Sequence, residues 1–202
     1  MSKRCGFILS LLVVVFVSVC CVARADNTKE NKLPFTYEIK DKEVIITGYT
    51  GEDSVINIPS KIEGYDVTRI GEDVFANMSW ITEVTLPEGI VQIDREAFSN
   101  CTGLTEIILP ESLERIEMLV FAGCDGLTEI HIPKNITRIK GGAFACNNIE
   151  KITVDKENEI FVADGNCLID AVVEPARGNL RITLVAVAKD FDIPEYIEGI
   201  AS

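Results

Sequence analysis

The strongest constraint on this chain is a repeat of 23 residues. Four phenylalanines recur at this interval: Phe75, Phe98, Phe121 and Phe144. Three prolines keep the same spacing: Pro87, Pro110 and Pro133. A single unit of this length cannot bury its own apolar side chains, so neighbouring units must stack and pool them into one elongated core. The repeat therefore predicts a solenoid.

The apolar pattern within each unit indicates where its strand lies. Units open with apolar-x-x-apolar-x-apolar, as in Leu104 to Leu109 and Leu127 to Ile132, which is the strand pattern of a leucine-rich repeat. The interval from Pro59 to Pro87 is 28 residues rather than 23. The extra residues fall around Gly64, which indicates a hairpin-like excursion in the first unit.

The complete pattern is Leu-x-x-Ile-x-Ile-Pro-x-x-Ile-x-x-Ile, followed by Ala-Phe-x-x-Cys. It resembles the BspA-type leucine-rich repeats, a bacterial surface and secreted class that is also expanded in some parasitic protists. The resemblance covers about Val55 to Val154. It implies a right-handed, β-rich solenoid with single helical turns around Ala-Phe, and a role in adhesion to host or matrix proteins or to other cells.

The repeat also divides the chain. A β-hairpin is predicted from Tyr37 to Ile46, pairing with the first repeat strand and capping the open end of the solenoid. The predicted segments are a signal peptide (1–25), a polar segment with the capping hairpin (26–51), the repeats (52–157), an irregular inserted unit (158–192) and the start of a further repeat that is cut off (193–202).

Residues 1–25 have the three parts of a secretory signal peptide. Lys3 and Arg4 precede an apolar run from Phe7 to Val19, and the segment ends in Ala23-Arg24-Ala25. A membrane anchor is the alternative, but the run is short for crossing about 30 Å of hydrocarbon. We therefore expect cleavage after Ala25, no membrane span in the product, and a secreted or cell-surface location.

Charge and histidine content exclude several classes of function. The formal net charge is −13, and removal of the signal would leave 16 basic against 32 acidic residues. Such a balance disfavours nucleic acid as a partner, because binding requires a basic surface. The single histidine, His131, excludes a zinc site with two imidazoles. His131 also falls at a position that Thr85 and Ile108 hold in other units, which is typical of a variable, solvent-facing strand position. No serine or cysteine nucleophile has a recognisable partner motif either, so we expect no enzymatic activity, no catalytic residue and no cofactor.

The cysteines fall into two groups. Cys5, Cys20 and Cys21 belong to the signal segment, whereas Cys101, Cys124 and Cys146 occupy one position in successive units. We expect these three to stack inside the solenoid at about 5 Å intervals and to act as small hydrophobic residues. A disulfide between neighbours is the alternative that this distance allows. Cys167 is predicted to be packed in the inserted unit, and no metal site is expected.

Two columns of outward-facing residues are the candidate functional sites. Arg69, Gln92, Arg115 and Arg138 form one column; Glu83, Glu106 and Glu129, continued by Lys151, form the other. An acidic ladder favours a cation or a basic ligand, and the alternative is a solvated face that preserves solubility. We predict a concave binding face of nine residues: Thr82, Glu83, Thr85, Thr105, Glu106, Ile108, Thr128, Glu129 and His131.

These observations predict a secreted or surface-exposed binding protein that recognises a host or matrix protein, or a glycan, through the repeat face. The alternative is an N-terminal interaction fragment of a larger surface protein whose functional module lies elsewhere. The two differ in whether the coding sequence continues beyond Ser202. The sequence leaves the oligomeric state open.

Overall fold

A computed structural model describes residues 33–146, 148–164, 167–174 and 179–187, which form strands and turns and contain no helix. The first eight strands are β1 (Phe35–Lys40), β2 (Glu43–Tyr49), β3 (Val55–Asn57), β4 (Lys61–Ile62), β5 (Tyr65–Ile70), β6 (Glu83–Thr85), β7 (Gln92–Ile93) and β8 (Glu106–Ile108). The other seven are β9 (Arg115–Ile116), β10 (Glu129–Ile132), β11 (Arg138–Ile139), β12 (Lys151–Val154), β13 (Phe161–Asp164), β14 (Cys167–Glu174) and β15 (Asn179–Val187).

Each repeat contributes two short strands, and the two kinds pair separately. The leading strands, before the proline, form a sheet in the order β3-β6-β8 and a separate pair, β10-β12. The trailing strands, after the proline, pair in the order β5-β7-β9-β11, and β2 and β1 extend that sheet at one end. Within the repeats these pairings are parallel, as in Val84 beside Ile107 and Ile93 beside Ile116. The predicted β-rich solenoid is confirmed.

The repeated phenylalanines form a continuous stack that runs from coil to coil. The rings of Phe75, Phe98, Phe121 and Phe144 have centroid separations of 5.0, 5.5 and 5.6 Å and are within 11° of parallel. Phe75, Phe98 and Phe121 are completely buried. Burial of each such side chain contributes about 1.5–3 kcal/mol, which only the stacking of coils makes available.

The N-terminal hairpin caps this stack. Asp41 and Lys42 both have positive φ, 54° and 68°, which gives the tight turn that joins β1 to β2. The ring of Tyr49, at the end of β2, packs 5.6 Å from that of Phe75 and extends the aromatic column. The hairpin pairs with the first repeat as predicted, but through trailing strand β5 rather than the strand that opens the unit.

The excursion around Gly64 is also confirmed. Strand β4 pairs antiparallel with β5, so that Lys61 lies opposite Asp66 and Ile62 opposite Tyr65. Glu63 and Gly64 form the turn, with φ values of 52° and 84°. The extra residues of the first unit therefore form a small hairpin at the start of its trailing strand.

The helical turns expected around Ala-Phe are single hydrogen-bonded turns. The Ala76 N–H donates to the Asp73 carbonyl at 3.1 Å, and the Met78 N–H donates to the Phe75 carbonyl at 3.2 Å. Asp73 has a φ of 58°, and Glu96, Leu119 and Gly142 have the same left-handed backbone at the equivalent positions. A right-handed helix requires negative φ throughout, so none forms.

The segment predicted as an irregular inserted unit contains an antiparallel three-stranded sheet, β13-β14-β15. Buried Asn158 lies at its entrance, where its side chain donates to the carbonyls of Pro133 and Ile136 and accepts from the N–H of Phe161. The predicted signal peptide, 1–25, and the predicted further repeat, 193–202, lie outside the described residues. No helix within the described ranges could cross a membrane.

Candidate binding face on the leading strands

The predicted binding residues lie along the leading strands, and all nine are exposed. We call these nine residues the leading face. Parallel register places Glu83 beside Glu106 and Thr85 beside Ile108. One coil further on, Glu129 lies beside Lys151 and His131 beside Thr153. The columns deduced from the repeat are therefore rows of neighbouring side chains in the structure.

The threonines that begin the leading strands have a structural role. The Thr82 hydroxyl donates to the Ser54 carbonyl, and the Thr105 hydroxyl to the Thr82 carbonyl, both at 3.1 Å. Each hydroxyl thus ties its coil to the preceding one. Within the described residues Thr128 makes no such bond, so it is the threonine of this row that is available to a ligand.

The glutamates of the leading face differ in their partners. Lys151 forms an ion pair with Glu129, with Nζ 3.0 Å from Oε2. Within the described part of the chain, Glu83 and Glu106 have no ion-pair partner. Because exposed ion pairs contribute little to stability, this row of carboxylates is not required for the fold.

The leading sheet is interrupted between β8 and β10, and we call this interruption the seam. Across the described residues, no backbone hydrogen bond joins the two strands. The Thr105 N–H donates to the Thr82 carbonyl at 3.0 Å, but Thr128 has no counterpart to this bond. The coils remain close just before the seam, since a Cβ on Gly126 would lie 2.6 Å from the Leu104 carbonyl oxygen.

A shallow cavity of about 340 Å³ lies over the seam. Its lining includes Glu106, Ile108, Glu129 and His131. Ile108 is 69% exposed, more than any other large hydrophobic residue described. The His131 Nδ1 lies 2.9 Å from the Thr153 hydroxyl, a contact that orients the imidazole at one wall. The repeat pattern located these residues, but it gave no sign of the seam.

The trailing strands carry polar groups that are paired with one another. Half-buried Asp94 accepts from Arg69 Nε at 2.7 Å and from Gln92 Nε2 at 2.6 Å. Arg115 Nε in turn donates to Gln92 Oε1 at 2.7 Å. Three members of the predicted column, Arg69, Gln92 and Arg115, are thus linked by hydrogen bonds, whereas the Arg138 side chain makes none within the described residues. Asp94, which holds it together, was not singled out from the sequence because no other unit has an aspartate there.

The stacked cysteines are free thiols. Cys101 and Cys124 are fully buried and Cys146 is half-buried, as expected for an interior column. Each thiol donates to the carbonyl of the phenylalanine one coil earlier, at 3.1, 3.0 and 2.8 Å. Burial raises the pKa of the Cys146 thiol to about 11. Each thiol therefore finds an acceptor inside the solenoid, as a second donor to a carbonyl that already accepts a backbone N–H. The side chain of Cys167 lies outside the described residues.

Metal ligands are not grouped in the described ranges. No cluster of three or more histidine, cysteine, aspartate or glutamate side chains there could hold an ion. The leading face instead combines exposed carboxylates, hydroxyls and one aliphatic side chain, which suits the binding of another molecule at a surface.

Stacked coils with two parallel strands per repeat and a continuous phenylalanine column define a solenoid of the leucine-rich repeat class. Residues 53–165 match the BspA type leucine rich repeat region, with six copies. The chain belongs to this family.

Solved structures agree with this assignment, although no curated protein matches the chain. A leucine-rich repeat protein from Bacteroides capillosus ATCC 29799 is 33% identical, over 60% of this chain and 94% of that one, with a TM-score of 0.57. A leucine rich repeat protein from T. pallidum is 25% identical, over 59% of this chain and 68% of that one, with a TM-score of 0.51.

Proposed function

We propose that this protein is a secreted or cell-surface binding protein that recognises a protein or glycan through the leading face and mediates adhesion. The observation that carries the proposal is the composition of that face. It presents three in-line glutamates and an exposed isoleucine, and two of those glutamates have no ion-pair partner within the described residues. Exposed apolar and charged groups that do not serve the fold are typical of recognition surfaces.

The proposed location is supported by the signal-peptide pattern of residues 1–25 and by membership of the BspA-type family. Binding is proposed rather than catalysis because His131 contacts a threonine hydroxyl and lies on an open surface. A catalytic base is expected instead to be oriented next to a nucleophile in a pocket.

The test is capture of the exported protein on an array of matrix proteins and glycans. Replacing Glu83, Glu106 and Glu129 together by Lys should remove or redirect the binding. Thermal unfolding should remain nearly unchanged, because these exposed carboxylates contribute little to stability. The matched control replaces Glu38, Glu52 and Glu111 by Lys, which changes the net charge equally at exposed positions away from the leading face.

Capture that is equal for the two triple variants would contradict the proposal. A loss of folding in the leading-face variant would show that the three glutamates serve the structure instead.

A further inference from the structure

We propose that the seam binds an arginine side chain of a partner polypeptide and so anchors that partner to the leading face. The inference rests on the proposed function, since it names the chemical group that the face takes. Three independent features of the seam support it: its backbone, its apolar floor and its charge.

The backbone of the seam differs from that of the rest of the leading sheet. Between β6 and β8 the carbonyl of Thr82 accepts both the N–H and the hydroxyl of Thr105. One coil later, the carbonyl of Thr105 accepts no hydrogen bond from any described residue. A strand carbonyl without a partner is an acceptor that a ligand can use, and a donor placed there gains a bond that costs the fold nothing.

The floor of the seam is apolar at a position where its neighbours are polar. Ile108 takes the place that Thr85 holds in the preceding unit, and its side chain is 69% exposed. The exposed side chain offers apolar surface, and a ligand that covers it gains the free energy of removing that surface from water. The methylene stem of an arginine can pack on Ile108 while the charged end of that side chain stays at the surface.

The charges of the seam favour a cation with several donors. Glu106 has no ion-pair partner in the described ranges, and Glu129 shares its charge with Lys151. A guanidinium has five N–H donors in a planar fork, which can bond a carboxylate and the Thr105 carbonyl together. A lysine ammonium is a compact charge and fits this spread of acceptors less well. The protein's net charge of −13 also favours a basic partner.

The size of the seam matches one side chain rather than a whole small molecule. Its cavity of about 340 Å³ is shallow and open to solvent. That volume is at the lower end of the range for ligand pockets, about 300–1,000 Å³. A side chain delivered by a larger partner needs no enclosed pocket, because the rest of the partner covers the seam and excludes water.

The test is an NMR titration of the exported protein with the peptide acetyl-Ile-Arg-Ile-amide. We expect the amide resonances of Ile108, Thr128 and His131 to shift. The peptide with citrulline in place of arginine, which keeps the shape and loses the charge, should produce no saturable shift. The lysine peptide should bind several-fold more weakly. Equal binding of the arginine and citrulline peptides, or of the arginine and lysine peptides, would overturn the proposal.

Variants locate the anchor within the leading face. Glu106→Gln should weaken arginine-peptide binding roughly tenfold, because it removes a charge-assisted bond. Glu38→Gln makes the same change in charge at an exposed position on β1, outside the leading face, and should bind within about twofold of the parent protein. Ile108→Thr introduces the residue that the preceding unit already accommodates, so it should fold and still bind more weakly. Equal losses from Glu38→Gln and Glu106→Gln would show a general charge effect and exclude the anchor.

The array separates failure of the anchor from failure of the proposed function. If partners are captured equally by the parent protein, Glu106→Gln and Ile108→Thr, the anchor is wrong and the binding function stands. If no partner is captured but the arginine peptide shifts the seam resonances, the anchor stands and the adhesive function is wrong.

Discussion

The leading and trailing strands come from the same repeat but use their polar side chains differently. On the trailing strands, Asp94 joins Arg69 to Gln92 and Gln92 joins Arg115, and the sheet runs without a break into the capping hairpin. On the leading strands, Glu83 and Glu106 have no ion-pair partner within the described residues, and the sheet stops at the seam. The comparison indicates that the trailing strands use their charged groups to join coils, whereas the leading strands carry carboxylates that the fold does not use, as the proposed binding role requires.

The largest expected effect comes from the core that both faces share. Phe98→Ala removes a fully buried ring from the middle of the aromatic column. Loss of such a ring costs about 3–5 kcal/mol, since the stacked neighbours cannot close the cavity completely. Urea unfolding should show this decrease, and hydrogen exchange should accelerate in leading and trailing strands alike. Acceleration confined to one sheet would mean that the two faces unfold separately.

A paired comparison of carboxylates tests the two faces directly. Asp94→Ala leaves Arg69 and Gln92 without their shared acceptor in a half-buried place, where the Asp94 side chain is only 14% exposed. We expect the free energy of unfolding to fall by about 1–3 kcal/mol. The matched change on the leading face, Glu106→Ala, should stay within about 0.5 kcal/mol of the parent protein. Similar losses for both variants in urea denaturation would remove the distinction between the faces.

Hydrogen exchange of single amides sharpens the description of the seam. The Thr105 N–H donates to the carbonyl of Thr82, whereas Thr128 has no equivalent bond in the described structure. The Thr128 amide should therefore exchange at least about tenfold faster than that of Thr105, a difference of about 1.4 kcal/mol in protection. Equal protection of these two amides would mean that the leading sheet is continuous in solution.

The last comparison concerns the buried thiol column and is confined to alkaline pH. Burial raises the pKa of Cys146 to about 11, so the folded state disfavours its thiolate. The resulting stabilisation is complete below the pKa of the unfolded thiol, about 8.5, and is lost as the pH rises through about 11. Stability curves between pH 8 and 11 should fall less steeply for Cys146→Ala than for the parent protein. Parallel curves would place this thiol in contact with water.

Much of the fold follows from spacing alone. The recurrence of Phe75, Phe98 and Phe121 required stacked coils, and the alternation around Val84 and Ile107 showed which strand positions face outward. Cys101 and Cys124 could be placed in the interior by the same reasoning. The helical turns were the exception, because the left-handed φ occurs at an Asp, a Glu, a Leu and a Gly in successive units, so residue type does not reveal it.

The candidate site was predicted only in outline. Its nine residues were found because a 23-residue period brings equivalent positions side by side. The seam could not be found this way, since Thr105 and Thr128 are identical in sequence and differ only in what their backbones contact. The pairing of Arg69 with Asp94 was missed for a similar reason: the two residues are 25 positions apart and outside the repeat spacing.

By itself, the sequence determined the coil, its register and the side of each strand that meets solvent, because a periodic pattern of apolar residues has one arrangement that buries them all. Only the tertiary structure decided which sheet the hairpin caps, which charges are paired and where the leading sheet is interrupted. Those features depend on the distances between atoms of neighbouring coils. A difference of about 1 Å decides whether a hydrogen bond forms, and residue spacing along the chain does not specify distances so finely.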